Sequence, residues 1–268
     1  MRAIRIHETG GPEVMKLEEV ELPKPGKGEV RLRQHAVGVN FIDVYQRTGF
    51  YPMALPFTPG REGAGEVLQV GPGVKDFKPG DRVAYAGSTG AYAEERNVEA
   101  RLLVKLPRAL SYETGAAMML KGLTAQYLLR STYRVKEGDW ILVHAAAGGV
   151  GQILCQWGKA LGAKVIGTVG SLEKAKLARK AGAHHTILYR EEDFARRVDE
   201  ITKGEKCAVV YERRRQGDLP RLARLPEAVR HVRELRVGLG RDRGVRPGSP
   251  GTQGLAVRHP ADARHLRV

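Results

Sequence analysis

Over about the first 110 residues, short hydrophobic runs alternate with polar positions and are separated by glycine and proline. The segment VRLRQHAVGVN (30–40) and the runs EVLQV (66–70) and DRVAYA (81–86) predict β-strands joined by turns. The spacing becomes helical in SYETGAAMMLKGLTAQYLLRSTY (111–133), with Ser111 as the expected N-cap. This part of the chain is predicted to be a β-rich unit that leads into a helix.

From Asp139 onwards, strand-like apolar runs alternate with segments of helical spacing. The strand-like runs are WILVHAA (140–146), KVIGTVG (164–170), HTILY (185–189) and CAVVY (207–211), and the helical segments between them are 148–162, 171–182 and 191–204. Ser171 is the expected N-cap of the second helix, and Gly182 its C-terminal stop. Strands that alternate with helices of this length predict an α/β fold with a parallel, doubly wound sheet.

A glycine-rich turn, AAAGGVGQ, lies between the first of these strands and its helix, with glycines at Gly148, Gly149 and Gly151. Small residues let the backbone approach a pyrophosphate closely, and a helix N-terminus offers free N–H groups and the positive end of its dipole. The strand–turn–helix context favours dinucleotide binding over the alternative of a purely structural turn.

The end of the following strand bears on the choice of cofactor. An NAD site usually carries Asp or Glu there to bind the ribose hydroxyls, whereas this chain has the sequence TVGSLEK. Thr168, Gly170 and Ser171 leave room for a 2′-phosphate, and Lys174 supplies a cation. The segment therefore favours NADPH, although Glu173 opposes this choice and Lys174 also fits the description of a solvated helix lysine.

Composition excludes several classes of protein. No run of about 18 apolar residues is present, and the N-terminal MRAIRIHETGG lacks the apolar region of a secretory signal. Cys155 and Cys207 are too few for a disulfide framework or a zinc site. A hydrophobic fraction of 42% supports a folded core. We expect a cytoplasmic protein with no membrane span.

The net charge of +15 is concentrated near the C-terminus. Residues 1–211 contain 31 basic and 24 acidic residues, whereas residues 212–268 contain 14 basic residues, all Arg, and 6 acidic residues. Such charge suits phosphate contacts, but the segment has no Phe, Trp or Tyr and lacks the regular basic helix of nucleic-acid-binding modules. An Arg-rich nucleic-acid binder is a remote alternative, and we expect no nucleic-acid partner.

Residues 1–211 carry dense motifs of a known family. They include GGPEV (10–14), VGVNFIDVYQRTGFYP (37–52), GEVLQVGPGVKDFKPGDRVAY (65–85), LKGLTAQYLLR (120–130), VHAAAGGVGQILCQWGKALGAKVIGTVGSLEKA (143–175) and ILYREEDF (187–194). On these motifs the chain resembles the zinc-free quinone oxidoreductases (zeta-crystallin-like) of the medium-chain dehydrogenase/reductase superfamily, in particular the bacterial NADPH:quinone reductases.

The resemblance implies a GroES-like β domain, at residues 1–122, and a Rossmann domain that binds NADPH, truncated here to residues 123–211. It implies a site in the cleft between the two domains, with NADPH as the hydride donor and a quinone as the acceptor. It also implies a homodimer formed across the last strand of the sheet, and we expect this interface to be lost in this chain.

The resemblance also assigns site residues. Asn40, Tyr45 and Tyr51 are expected near the nicotinamide and the quinone, where they position the reactants and form hydrogen bonds; packing inside the β domain is the alternative for the two tyrosines. Asn40 is counted with the cofactor contacts as well, and the other expected cofactor contacts are Thr124, Tyr127, Gly148, Gly149, Val150, Gly151, Gly170, Ser171, Lys174 and Tyr189.

The zinc-dependent relatives in the superfamily have a Cys at the position of Asn40. They also have a His at the position of Arg61, in a GHE motif that reads GREGAG here. Zinc needs about three or four N, S or O ligands in close geometry. We therefore expect hydride transfer without a metal, with the cofactor carrying the chemistry and the protein supplying orientation and a dry cleft.

The resemblance stops just after CAVVY, where the Arg-rich tail, residues 212–268, begins. The string ERRRQGDL (212–219) can be encoded so that the loss of one base yields Asp-Gly-Val-Gly-Lys-Glu-Thr-Phe, a continuation typical of the family. The same shift gives family-like strings from ARLPEAVR (223–230) and RHPADARHLRV (258–268). We therefore hypothesise a frameshift, caused by a single-base insertion near codon 212.

An out-of-frame tail has structural and functional consequences. We expect a largely irregular and poorly packed tail, so that the Rossmann sheet ends after its fourth strand with an apolar edge. Quinone reduction is then impaired, and NADPH binding without turnover is an alternative function. Reduction of an activated carbon–carbon double bond is a further alternative from the same superfamily.

Overall fold

The computed structural model describes residues 1–212 and two short segments, 234–236 and 257–258. The chain divides into two compact units, Met1–Leu123 and Thr124–Val268. Within the described residues, every helix is too short or too polar to cross a membrane.

The first unit is built on antiparallel β-sheets. β1 (Arg2–Ile6) pairs with β2 (Met15–Glu19), and a second, five-stranded sheet has the order β6-β3-β4-β5-β7. Its strands are β3 (Glu29–Gly38), β4 (Glu62–Val70), β5 (Arg82–Ala86), β6 (Glu95–Glu99) and β7 (Leu103–Lys105), and 3₁₀ turns lie at Pro12–Val14 and Ala100–Leu102. The strands predicted around 30–40, 66–70 and 81–86 are confirmed as β3, the end of β4, and β5.

Alternation along β3 explains how the five-stranded sheet buries its core. Val30 and Leu32 are completely buried, whereas Arg33 is exposed. The two buried residues pack with neighbours from the adjoining strands, namely Val67, Val83, Tyr85 and Val98. Strands β3 and β4 approach so closely that a Cβ atom on Gly65 would lie 2.0 Å from the Arg33 carbonyl oxygen. Only glycine allows this approach.

Two helices belong wholly or partly to the first unit. α1 (Phe41–Arg47) follows β3, and α2 (Tyr112–Tyr127) continues into a π-helical turn at Leu128–Thr132. The predicted cap of α2 is confirmed, because the Thr114 backbone N–H donates a hydrogen bond to Ser111 Oγ at 3.1 Å. α2 therefore runs through the boundary between the two units.

The second unit contains the predicted parallel, doubly wound sheet. The strands β8 (Trp140–Val143), β9 (Lys164–Val169), β10 (His185–Leu188) and β11 (Val209–Glu212) lie in the order β10-β9-β8-β11. The connecting helices are α3 (Gly149–Ala160), α4 (Leu172–Lys180) and α5 (Phe194–Thr202). Gly182 follows α4 with φ 110°, which confirms it as the C-terminal stop of that helix.

Both faces of this sheet are covered. Ile141 and Val143 of β8 pack in one hydrophobic cluster with residues of α3 and α4. Leu142, between them, packs in another cluster with Phe194 and Val198 of α5. Successive side chains of a strand point to opposite faces, so a strand buried on both sides needs a continuous apolar run. The run WILV meets that requirement.

The edge of the sheet at β11 differs from the expectation. β12 (Glu234–Arg236) pairs in parallel with β11, and β13 (Val257–Arg258) pairs antiparallel with β12. A free strand edge offers backbone N–H and C=O groups for pairing, and these two short strands extend the sheet beyond its fourth strand. The expectation of an irregular tail otherwise falls on residues outside the described part of the chain.

Candidate functional site

The glycine-rich turn joins the end of β8 to the start of α3. Gly148 is the N-cap of α3, and its N–H donates a hydrogen bond to the Ala145 carbonyl oxygen at 2.8 Å. A Cβ atom on Gly151 would lie 2.3 Å from the same oxygen, so glycine is needed for the helix to start this close to the turn. The turn brings the predicted residues Gly148, Gly149, Val150 and Gly151 together at one helix N-terminus.

The N-terminus of α3 has the properties of an anion site. Gly148 and Gly149 are exposed, while Val150 packs against the core of the unit. The first N–H groups of a helix have no intrahelical acceptor, and the positive end of the helix dipole lies there. Backbone donors in this arrangement suit a pyrophosphate.

A second candidate anion site lies where β9 ends and α4 begins. Ser171 is the N-cap of α4, as predicted, and its Oγ accepts a hydrogen bond from the Lys174 backbone N–H at 3.4 Å. A Cβ atom on Gly170 would lie 2.9 Å from Tyr189 Oη, so the Tyr189 hydroxyl lies directly beside Gly170. The structure thus brings Gly170, Ser171, Lys174 and Tyr189 together.

Thr168 and Glu173 lie near this site, the first buried and the second exposed. Thr168 is only 1% exposed and its Oγ1 lies 2.7 Å from His144 Nδ1, so its hydroxyl group is turned into the protein. Glu173 is exposed in the first turn of α4. Hydrogen bonds with Ser171 and with its own backbone N–H lower the pKa of the Glu173 carboxyl group. An anionic side chain therefore lies at the edge of this site.

In the first unit, Asn40 lies between β3 and α1 and is fixed by two hydrogen bonds. Its backbone N–H donates to Asp43 Oδ2 at 2.9 Å, and its side-chain Nδ2 donates to Glu62 Oε1 at 2.8 Å. Glu62 is completely buried and also accepts hydrogen bonds from the Lys121 ammonium and the Leu120 backbone N–H, each at 2.7 Å. The orientation of the Asn40 amide is thus set by a buried carboxylate.

Tyr45 and Tyr51 belong to a cluster of four aromatic rings around α1. Their ring centroids lie 5.5 Å apart with nearly perpendicular planes, and the Tyr51 backbone N–H donates to the Tyr45 carbonyl oxygen at 3.0 Å. The rings of Phe41 and Phe50 each lie 5.1 Å from that of Tyr45, and these two side chains are 47% and 54% exposed. Exposed ring surface suits a planar apolar ligand, while the ring–ring contacts also serve packing.

Thr124 and Tyr127 lie three residues apart on α2 and so share one face of that helix. Both are half-buried in the second unit. Tyr127 packs against the hydrophobic cluster that includes Ile141 and Leu154, and burial raises the pKa of its hydroxyl group. The hydroxyl of Tyr127 therefore stays protonated and can act as a hydrogen-bond donor at neutral pH.

Arg61 occupies the position at which zinc-dependent relatives carry a His ligand. Its guanidinium donates two hydrogen bonds to the Gly87 carbonyl oxygen, with 3.0 Å between Arg61 Nε and that oxygen. Among the residues that the structure describes, no group of three or more His, Cys, Asp or Glu side chains is arranged to hold a metal ion.

Glu62, Lys121 and His144 are candidate site residues that the sequence analysis did not single out. His144 could have been noticed, because it is a polar side chain directly after an apolar strand, and Glu62 lies in the GREGAG motif. Lys121 carries no such signal in the sequence. Its pairing with Glu62 depends on how α2 packs against β4.

Comparison with known proteins connects both units to one group of enzymes. Residues 26–108 match the family described as the alcohol dehydrogenase GroES-like domain, and residues 149–214 match the family described as zinc-binding dehydrogenase. The chain is 54% identical over 213 residues to a quinone oxidoreductase of Pseudomonas aeruginosa, an alignment that covers 79% of this chain and 66% of that protein. It is also 50% identical over 214 residues to a 2-haloacrylate reductase of a Burkholderia species, covering 77% of this chain and 64% of that protein.

The fold is similar to that of a solved relative. The crystal structure of Escherichia coli quinone oxidoreductase complexed with NADPH has a TM-score of 0.83 and 47% sequence identity to this chain, and the alignment covers 88% of this chain and 72% of that one. The chain spans just under two thirds of the length of the relatives in the preceding paragraph, 66% and 64%.

Proposed function

Because this chain belongs to the zinc-free quinone oxidoreductases of the medium-chain dehydrogenase/reductase superfamily, we propose that it is an NADPH-dependent quinone reductase. The reaction transfers a hydride from NADPH, together with a proton, to a quinone. The observation that carries the proposal is a pair of helix N-termini suited to anions. They follow the adjacent strands β8 and β9, one at Gly148–Gly151 and one at Gly170–Lys174. The backbone donors at the start of α3 suit a pyrophosphate, and Ser171 and Lys174 at the start of α4 suit a 2′-phosphate.

The second unit supplies the residues for the adenosine half of the cofactor. The backbone N–H groups of Gly149 and Val150 bind the pyrophosphate, because they lie in the first turn of α3. Ser171 and Lys174 bind the 2′-phosphate, and the Tyr189 side chain lies against the adenosine. At the end of β9 the chain has Gly170 in place of the Asp or Glu that binds ribose hydroxyls in NAD sites.

The first unit supplies the residues for the hydride-transfer end. NADPH, when bound, provides the hydride. Asn40, held by Glu62, orients the nicotinamide, and Thr124 and Tyr127 of the second unit complete the cofactor contacts. The Tyr45 and Tyr51 hydroxyls form hydrogen bonds with the quinone oxygens. These side chains position the reactants and stabilise developing charge, and none of them acts as a strong base.

Reduction of an activated carbon–carbon double bond is a second candidate, because a relative with 50% identity is a 2-haloacrylate reductase. The same donor and the same positioning groups serve both reactions, so only the acceptor distinguishes them. NADPH oxidation by a chain with the reading frame restored near codon 212 should be measured with 1,4-benzoquinone and with 2-chloroacrylate. We expect the larger kcat/KM with the quinone, and a larger value with 2-chloroacrylate would replace the proposed activity with the second candidate.

We further propose that turnover by this chain is impaired by a frameshift near codon 212, because the family match ends at residue 214. The test measures NADPH binding and quinone-dependent NADPH oxidation for this chain and for a chain with the reading frame restored. We expect both to bind NADPH and only the restored chain to turn over, a result that would support both the quinone reductase activity and its impairment in this chain.

The possible outcomes of this experiment are distinct. Equal turnover by the two chains would show that the tail does not impair the reaction. Failure of both chains to bind NADPH would overturn the proposed function itself. Resequencing the DNA around codon 212 tests the insertion directly, and the Asn40→Ala variant of the restored chain serves as a control with a disrupted site.

The proposal extends to location and partners. We propose a cytoplasmic protein that takes a quinone substrate, binds no nucleic acid and does not form the family homodimer, whose interface needs the last strand of the sheet. Light scattering coupled to size-exclusion chromatography should give the mass of one chain, 29.4 kDa. A dimer mass, or salt-dependent binding to DNA, would contradict the corresponding part of this proposal.

A further inference from the structure

Arg190 lies beside Gly170 at the carboxyl end of the parallel sheet. β9 and β10 are paired in register, with Leu188 opposite Val169, and the Tyr189 backbone N–H donates to the Val169 carbonyl oxygen at 3.2 Å. The residues that directly follow the two strands are therefore neighbours. A Cβ atom on Gly170 would lie 3.6 Å from Arg190 Nε, so the guanidinium group of Arg190 passes next to the bare backbone of Gly170.

The Arg190 guanidinium is exposed and makes no hydrogen bond or ion pair with any described residue. Other arginines in this region are engaged: Arg197 bonds to Glu192 and Glu200, and Arg179 donates to Thr186 Oγ1 at 3.1 Å. The Lys174 ammonium also has no partner within the described part of the chain. Lys174 and Arg190, two cations without partners among the described residues, thus lie near Gly170 at the carboxyl end of the sheet.

The charge balance of the proposed 2′-phosphate site requires more than Lys174. A phosphate monoester carries a charge of about −1.5 to −2 at pH 7, and Glu173 adds a negative charge at the same helix start. One lysine does not neutralise both. An arginine adds a second positive charge and a planar fork that binds two phosphate oxygens at once.

We infer that Arg190 binds the 2′-phosphate of NADPH together with Lys174 and determines the preference for NADPH over NADH. Gly170 leaves the space between the Arg190 side chain and the start of α4 open, so that the phosphate can contact both cations. This inference rests on the proposed function, because it assigns a further specificity-determining residue to the proposed cofactor site.

The test measures the binding of NADPH and NADH to the full chain by isothermal titration calorimetry. We expect Arg190→Gln to weaken NADPH binding by about 10- to 100-fold, the effect of losing a charge-assisted hydrogen bond, and to change NADH binding by less than about twofold. Arg190→Lys, which keeps the charge but not the fork, should lie between Gln and the wild type. The same order is expected with the fragments 2′,5′-ADP and 5′-ADP.

Lys180→Gln is the matched control. Lys180 is an exposed cation at the opposite end of α4 and, like Arg190, has no hydrogen-bond or ion-pair partner among the described residues. Its replacement removes the same charge and should leave NADPH binding within about twofold of the wild type. All variants should melt within about 2 °C of the wild type, because both side chains are exposed and have no hydrogen-bond or ion-pair partner among the described residues.

The results separate this inference from the proposed function. A chain that prefers NADPH but binds it equally well as Arg190→Gln overturns the role of Arg190 and leaves the proposed function intact. An equal loss of NADPH and NADH binding in Arg190→Gln also overturns specificity for the 2′-phosphate. If the wild-type chain binds neither NADPH nor NADH, the proposed function and the inference both fail.

Discussion

Glu62 of β4 and Lys121 of α2 form a buried ion pair, with 2.7 Å between Glu62 Oε1 and Lys121 Nζ. The Glu62 side chain is completely buried, and that of Lys121 is 23% exposed. The same carboxylate oxygen accepts the hydrogen bond from Asn40. A Cβ atom on Gly38 would lie 2.2 Å from it, so the absence of a side chain there makes room for the carboxylate. The pair therefore links the sheet, α2 and the start of α1.

Removal of either charge from this pair should destabilise the fold. In Glu62→Gln the lysine loses its counter-ion, and in Lys121→Met the buried carboxylate keeps only the hydrogen bonds from Asn40 and the Leu120 backbone. Breaking a buried ion pair leaves an uncompensated charge, so each variant should lower the free energy of unfolding by roughly 3 kcal/mol in urea titrations.

The double variant distinguishes an ion pair from two independent effects. Glu62→Gln with Lys121→Met should cost less than the sum of the single changes, with a coupling energy of about 1–3 kcal/mol. Lys105→Gln is a control from an exposed pair, since Lys105 lies 3.6 Å from Asp81 and is 64% exposed. It should change stability by no more than about 1 kcal/mol. Strict additivity of the first two changes would contradict the proposed pairing.

Asp43 should make the stability of the protein depend on pH. This side chain is 6% exposed, and burial raises the pKa of its carboxyl group despite hydrogen bonds from the Asn40 backbone and the Tyr92 hydroxyl. The protonated form is thus favoured in the folded state relative to the unfolded state. This contribution to stability is present below the ordinary pKa and is lost as the pH rises through the raised pKa of the folded protein.

Asp43→Asn tests this effect, because the amide keeps the shape and one oxygen to accept both hydrogen bonds. The stability of the variant relative to the wild type should increase as the pH is raised from about 4 to 7, and thermal melting at several pH values measures it. Asp76→Asn, at an exposed position, is the control for loss of one charge. A constant difference between Asp43→Asn and the wild type over this range would contradict the prediction.

The glycines of the turn before α3 should differ in their structural importance. In Gly151→Ala the added methyl group would lie 2.3 Å from the Ala145 carbonyl oxygen, whereas in Gly148→Ala the nearest atom, the same oxygen, is at 3.1 Å. We expect Gly151→Ala to lower the free energy of unfolding by roughly 2 kcal/mol and Gly148→Ala by less than about 1 kcal/mol. Equal stabilities of the two variants in urea would show that the turn adjusts to a side chain at Gly151.

The two cysteines should be unreactive in the folded protein. Cys155 and Cys207 are both completely buried, and burial raises the pKa of each thiol to about 12. Because the thiolate is the reactive form, the native protein should not react with Ellman's reagent at pH 8, while both thiols should react in guanidinium chloride. Cys155→Ser and Cys207→Ser identify the residue responsible if a thiol does react in the native state.

Much of the fold follows from local sequence patterns. Continuous apolar runs such as WILV and alternating runs such as VRLR indicate strands of different burial, and the spacing of 148–162 and 171–182 indicates helices. The caps Ser111 and Ser171 are local features too, because an N-cap bonds to a residue only three positions away. These predictions succeed because the interactions involved span only a few residues.

Local sequence patterns predict only part of the candidate site. Motifs name Asn40, Gly170 and Lys174, but they do not reveal which side chains surround them. Thr168 illustrates the limit, because the sequence shows only that this residue at the end of β9 is small, whereas the fold directs its hydroxyl to His144. The direction of a side chain at a strand end depends on the twist of the strand and on packing from both faces.

The α/β class, the doubly wound sheet and the glycine turn can be predicted from the amino-acid sequence, because these depend on periodicity and on short-range backbone chemistry. The three-dimensional fold was needed to show that Lys121 neutralises Glu62, 59 positions away, and that Arg190 lies beside Gly170. The pairing of β12 with β11, which extends the sheet, was likewise visible only in the fold. Contacts of this kind depend on strand register and helix docking, which are set by the packing of the whole unit and not by any one segment.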